Sequence, residues 1–153
     1  MSMKTSIIYG YGVDMNVNYV EFPTVMSFFK NHLPKEYEQM LSEAKSDGID
    51  IENLDEEFED WVCDYANNNY GSASVDSYYS IISYIMRKET DINIDDIRSD
   101  EDWAIMHPET HPWYMNETEK NLTEEELCEI FKKYFAELGV EIEPDYVRVE
   151  SFG

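Results

Sequence analysis

Four groups of residues in this chain have the types and spacing that chemistry uses. His107 and His111 stand four apart, the separation at which two imidazoles on a helix can share a metal ion. The string is "HPETHP", however, and its two prolines predict a loop. The zinc-hydrolase pattern also needs a glutamate directly after the first histidine. Asp91, Asn93 and Asp95 fall at positions 1, 3 and 5 of a calcium loop. That loop needs Gly at position 6 for its sharp turn and Glu at position 12; here Asp96 and Asp102 stand there. Cys63 and Cys128 are candidate nucleophiles, but a reactive thiol wants electropositive surroundings. Glu59, Asp60 and Asp64 surround the first, and Glu124 to Glu126 precede the second. Paired carboxylates for general acid and base work carry no specificity here, because 34 acids guarantee some suitable spacing. There is no phosphate-binding loop and no serine nucleophile motif. The sequence therefore predicts a non-enzyme with no cofactor and no metal site.

The acids themselves are the stronger signal. Asp and Glu number 34 against 11 Lys and Arg in 153 residues, a net charge of −23. Small domains usually carry a net charge of about 2–8 in magnitude. Such a field repels nucleic acid and anionic membrane and attracts cationic partners. The plain alternative is solubility, which acidic residues favour. "NLDEEFEDWVCDY", residues 53–65, holds six carboxylates in thirteen positions with no basic residue. From Ser46 to Met86 there are ten acids and no Lys or Arg; from Glu89 to Glu119, ten acids and only Arg98. Solvated helices usually interleave both signs, since opposite pairs at i, i+4 stabilise and like pairs cost a few tenths of a kcal/mol. This chain forgoes that gain over two segments.

The elements that would carry these groups follow from hydrophobic period and end signals. Ser6–Tyr9 reads as a strand, followed by a Gly-bent stretch at Gly10 and Gly12 that marks a bulge or a close backbone approach. Pro23 and Pro34 suit the starts of two helices, the second with Leu33, Tyr37, Met40, Leu41 and Ala44 at helical spacing and Gly48 as its stop. The acidic stretch predicts a helix capped by Asn53, with Leu54, Phe58, Trp61, Val62, Tyr65 and Ala66 as its apolar stripe. Glu56, Glu59, Asp60 and Cys63 point away from that stripe, with Asp55, Glu57 and Asp64 on its flanks. A third helical segment, "SASVDSYYSIISYIMRKET", is capped by Ser74, although its Tyr and Ile content also suits a strand. "DWAIMH" and "DYVRVESF" read as strands. Between them "PETHPWYMNETEKN" reads as an ordered loop held down by Pro108, Pro112, Trp113 and Tyr114. "LTEEELCEIFKKYFAELG" has a capping box at Thr123 and Glu126, a staple of Leu122 on Leu127, and Gly139 as its stop. Leu127, Ile130, Phe131, Tyr134 and Leu138 form its buried face. The whole of 1–153 is expected to be one α+β domain, with a small antiparallel sheet of three or four strands packed against four or five helices. No signal peptide and no membrane-spanning run is present, which predicts a cytosolic protein with reduced thiols.

"YGYGVDMN", "HPWYMNETEKNLTEEEL" and the terminal "DYVRVESFG" resemble a family of small acidic proteins from phages, prophages and mobile elements of low-GC Gram-positive bacteria. The family's tail, ending near Glu-Asn-Gly-Gly, is replaced here by "ESFG". Its activity is unassigned, so no residue role carries over. The resemblance implies a genetic neighbourhood rich in counter-defence proteins, including anti-CRISPR and anti-restriction inhibitors. With the charge pattern, it leads to one expectation: an inhibitor that binds a basic nucleic-acid enzyme through a nucleic-acid-mimicking surface. Asp55, Glu56, Glu59, Asp60, Asp64, Asp95, Asp96, Asp100, Glu101 and Asp102 are expected to make that surface. The competing expectation is a cytosolic immunity or adaptor protein that covers a cationic toxin or partner without mimicry.

Overall fold

The architecture is organised around one strand that ignores its glycines. In the computed structural model, which describes residues 5–71 and 77–152, β1 runs from Thr5 to Asp14 without a break. The expected bend after Tyr9 is therefore absent. The glycines mark a close approach instead: Gly12 faces Met106 across the ladder, and a Cβ there would lie 2.1 Å from the Ile105 carbonyl oxygen. At Gly10 it would lie 2.5 Å from the Met106 sulfur. Any side chain at these positions would push the neighbouring strand away.

β1 pairs antiparallel with β3 (Trp103–Pro108) on one side and β4 (Asp145–Phe152) on the other. A strand not foreseen in the sequence, β2 (Asp95–Arg98), pairs antiparallel with β3, giving the order β2-β3-β1-β4. It lies in the stretch tested above as a calcium loop. The buried Ile92, Ile94 and Ile97 pull that stretch into the domain despite its acids.

Helices cover one face of the sheet. They are α1 (Phe22–His32), α2 (Pro34–Ser46), α3 (Glu56–Asn69), α4 (Tyr79–Thr90), the single turn α5 (Glu117–Lys120) and α6 (Glu124–Glu137). Pro34 begins α2 directly after α1, since a proline has no N–H to continue the first helix. Gly48 (φ 83°) and Gly139 (φ 76°) end α2 and α6 in the left-handed region that glycine adopts without strain. The Tyr- and Ile-rich segment is a helix, with Ile81, Ile82, Ile85 and Met86 wholly buried. It begins at Tyr79, where the Ser77 hydroxyl accepts the Tyr79 N–H at 3.0 Å; Ser74 lies outside the described residues. β1 sends Tyr11 and Val13, and β3 sends Ile105, into the main core with Phe22, Phe29, Phe58, Phe131 and Phe135. On the opposite sheet face Ile97, Ala104, Met106 and Val149 form a smaller cluster.

The expected ends of α6 hold with one difference. Thr123 accepts the Glu126 N–H at 3.1 Å, but its hydroxyl donates to the Glu126 carboxylate rather than completing a reciprocal box. The full box sits instead at the start of α5, where Asn116 accepts the Glu119 N–H and Glu119 accepts the Asn116 N–H. The result is one α+β domain with a four-stranded antiparallel sheet. No helix among the described residues is long and apolar enough to cross a membrane.

Candidate protein-interaction surface

α3 is built to hold a carboxylate face outward. Asp55, not Asn53, caps it, accepting the Phe58 N–H at 3.0 Å. Both residue types suit the position, but the Asn53 side chain is already donated to Asp50 at 2.9 Å. Phe58, Val62 and Ala66 are fully buried on the inner side. The Trp61 indole donates to Asp47 at 2.9 Å and the Tyr65 hydroxyl to Glu43 at 2.6 Å, tying the helix to α2 and its end. Leu54 precedes the helix and is 44% exposed, so the apolar stripe begins at Phe58.

On the outer side Glu56, Asp60 and Asp64 are exposed at steps of four residues, with Asp55 and Glu57 exposed at the first turn. Glu59 and Cys63 are half-buried rather than pointing away. Burial raises the Glu59 carboxyl above its ordinary range, and the negative charges of Asp60 and Glu56 push it the same way. Among the described residues no Lys, Arg or His forms an ion pair with any α3 carboxylate.

The second acidic segment behaves differently. Asp96 is buried, not part of a surface. It accepts the Trp103 indole N–H at 2.5 Å and the Ser80 hydroxyl at 3.2 Å. Burial pushes its carboxyl up to about 6, against the opposing pull of those hydrogen bonds and of Arg98. Asp95 is half-buried and pairs with Arg87 at 3.4 Å. Arg87 also donates to the carbonyls of Ile94 and Tyr70, so it clamps the start of β2 to α4 and the end of α3. Asp102 is half-buried and accepts the Glu150 N–H at 3.1 Å, bracing the turn against β4. Of the five residues expected here, only Asp100 and Glu101, at the tip of the β2–β3 turn, are exposed. The ten expected residues thus divide. Asp55, Glu56, Asp60, Asp64, Asp100 and Glu101 face solvent; Glu59, Asp95 and Asp102 do so in part; Asp96 does not.

The other sequence candidates are placed as follows. Asp91 is the left-handed C-cap of α4 (φ 58°), but the following Asp95–Arg98 is a strand paired with β3, so the stretch does not turn back on itself as an ion-binding loop does. Among the described residues no group of three His, Cys, Asp or Glu is placed to hold a metal ion. The His107 Nδ1 meets the Asn93 carbonyl at 2.7 Å, whereas His111 stacks on Trp113 with ring centroids 4.3 Å apart. Cys63 and Cys128 are both half-buried.

Two features escaped the sequence reading. Trp113 and Tyr114 are each 71% exposed, so they do not hold their segment down; a 3-10 turn at Pro112–Tyr114 presents them outward. Beside that segment is a cleft of about 390 Å³ between the β1–β3–β4 edge and the start of α6. Tyr11, Tyr146, His107, Glu119, Glu124 and Leu127 are among its lining residues. Tyr11 and Tyr146 are cross-strand partners, a pairing that becomes visible only once the register is known. Comparison of the chain with family models, with curated protein sequences and with solved structures finds no match.

Proposed function

We propose that this protein is a non-enzymatic inhibitor that binds a basic nucleic-acid enzyme, such as a defence nuclease, through the outer face of α3. One observation supports this above the others. Glu56, Asp60 and Asp64 form a column of exposed carboxylates with no cation paired to them among the described residues, on a helix whose inner side is fully buried. Four residues of helix rise about 6 Å, a separation comparable to that of phosphates along one strand. Holding like charges at that spacing costs a few tenths of a kcal/mol per pair. A groove lined with Lys and Arg would remove that cost and gain from field complementarity. Asp100 and Glu101 add charge at a second exposed place.

The test is competition. Binding to a basic nuclease should weaken steeply with salt, should be displaced by excess duplex DNA, and should fall at least tenfold in the triple variant Glu56→Gln/Asp60→Asn/Asp64→Asn. Binding that ignores salt and DNA would refute nucleic-acid mimicry. A partner that keeps its nucleic acid bound while in complex would point instead to an immunity-type role.

A further inference from the structure

The cleft beside α6 has a composition that selects its ligand. Its wall contains Tyr11 and Tyr146, whose ring centroids lie 5.3 Å apart with planes at 80°. Tyr11 is buried and backs the wall, whereas Tyr146 keeps open ring surface, and the negative face of an aromatic ring attracts cations. The floor is apolar, with Leu127 buried and Leu122 half-buried. Around this wall stand the carboxylates of Glu119 and Glu124, and among the described residues no Lys or Arg lines the cleft.

The hydrogen-bond inventory is equally one-sided. The Tyr146 hydroxyl donates to Glu124 at 2.9 Å, and the Tyr11 hydroxyl donates to the Pro144 carbonyl at 3.3 Å. The Thr123 hydroxyl is spent on Glu126. His107 donates Nδ1–H to the Asn93 carbonyl at 2.7 Å. Glu119 is buried, held by the N–H groups of Asn116 and Asn93, with His107 Nδ1 at 3.5 Å. Apart from the Thr110 hydroxyl, the side-chain donors described above are engaged, while carboxylate oxygens and ring surface remain. A ligand that fits must bring N–H donors and positive charge.

We infer that this cleft is a binding site for an alkylammonium group, held by the Tyr146 ring and the Glu124 carboxylate. The volume, about 390 Å³, falls within the usual range of small-ligand sites, roughly 300–1,000 Å³. The group arrives either as a small free amine or as the side chain of a lysine on another polypeptide. The exposed Trp113 and Tyr114 follow closely in sequence on the lining residues Pro108, Glu109 and Thr110, and they offer apolar contact area for the second source. The site is separate from α3 and does not depend on the inhibitor reading.

The experiment titrates the full chain with Nα-acetyl-lysine methylamide, with n-butylamine, and with the neutral Nα-acetyl-norleucine methylamide. Amide NMR shifts are followed at about 0.15 M salt, where the screening length is roughly 8 Å. Both amines should move the amides of His107–Thr110, Leu122–Leu127 and Tyr146, and the norleucine compound should not. Tighter binding of the lysine compound identifies a polypeptide source; equal or tighter binding of butylamine identifies a free amine. Tyr146 is 59% exposed, so Tyr146→Ala should stay folded. It should weaken binding roughly tenfold, while Tyr146→Phe, which keeps the ring, stays within about twofold. Glu124→Gln should weaken binding without abolishing it. Equal binding of the norleucine compound overturns the assignment. So do shifts spread over the acidic surface, or unchanged binding in folded Tyr146→Ala.

Discussion

α3 and the β2–β3 hairpin begin from the same material and end differently. Each belongs to a long run of acids nearly free of Lys and Arg. In α3 the carboxylates of Glu56, Asp60 and Asp64 stay in water without cations among the described residues. In the hairpin Asp95 meets Arg87, Asp96 is enclosed by Trp103 and Ser80, and Asp102 takes the Glu150 N–H. A carboxylate is a surface feature in one region and an internal acceptor in the other. The difference lies in what the rest of the fold brings to it. Charge density along the chain therefore measures potential, and only the packing decides whether that potential is offered outward.

The comparison can be broken most forcefully at Arg87. Its guanidinium serves the hairpin acid and two backbone carbonyls at once, and burial pulls its pKa down. Replacing it with alanine should cost about 3 kcal/mol or more, because the acceptors it served lose their donors. A thermal melt should fall by roughly 10 °C. A loss below about 1 kcal/mol would show that the hairpin acids do not need their cation.

Asp96→Ala comes next. It strands the Trp103 N–H and the Ser80 hydroxyl, at about 2–3 kcal/mol in urea unfolding. The pH dependence refines the same point. Asp96 has a folded pKa near 6, above its unfolded value of 3.8, so the folded state binds the extra proton between those limits. Stability must therefore fall as pH rises from about 4 to 6, by on the order of 1–3 kcal/mol, and Asp96→Asn should flatten that slope.

A second titration sits above it. Burial works against charge on His32, but its hydrogen bonds to Glu137 and Glu89 outweigh burial and raise its pKa above 6.5. The stability it adds is present below pH 6.5 and is lost as pH rises through the raised value. His32→Gln should remove this second decline and leave the first. An unchanged profile in either variant would dissociate these groups from the pH response.

The smallest effect is expected on α3. Asp60→Lys places a cation between Glu56 and Asp64 at i, i+4 on both sides, and should stabilise the protein by a few tenths of a kcal/mol. A carboxylate removed from the hairpin should thus destabilise, and one removed from α3 should not. If Asp60→Lys instead destabilises by as much as Asp96→Ala, the two regions do not differ in the way described.

Much of this was open to a reader of the sequence. The helices at Phe22–His32, Pro34–Ser46 and Glu124–Glu137 announce themselves through apolar period, proline starts and glycine stops, all of which act within a few residues. The strands at Trp103–Pro108 and Asp145–Phe152 show in the same way. The outward face of α3 follows from its period at Glu56 and Asp60 but not at Glu59 and Cys63, which are half-buried, and its cap falls two residues later than Asn53 suggests. β2 stayed hidden because Ile97, like Ile92 and Ile94 before it, stands among acids, and local charge masks the pattern. Trp113 and Tyr114 misled because aromatic rings are usually covered, and nothing nearby in the chain shows that theirs are not.

By itself, then, the sequence determined the charge, the helical periods and the α+β class, since these depend on composition and on neighbours a few positions away. Which acids face water was settled by tertiary structure alone. The groups that take Asp96 and Asp102 inward come from Ser80 and Glu150, sixteen and forty-eight residues distant. The Tyr11–Tyr146 wall of the cleft likewise exists only because β4 lies against β1 in one register. A carboxylate or a ring is exposed or enclosed by what folding brings beside it, and such partners are not encoded in local pattern.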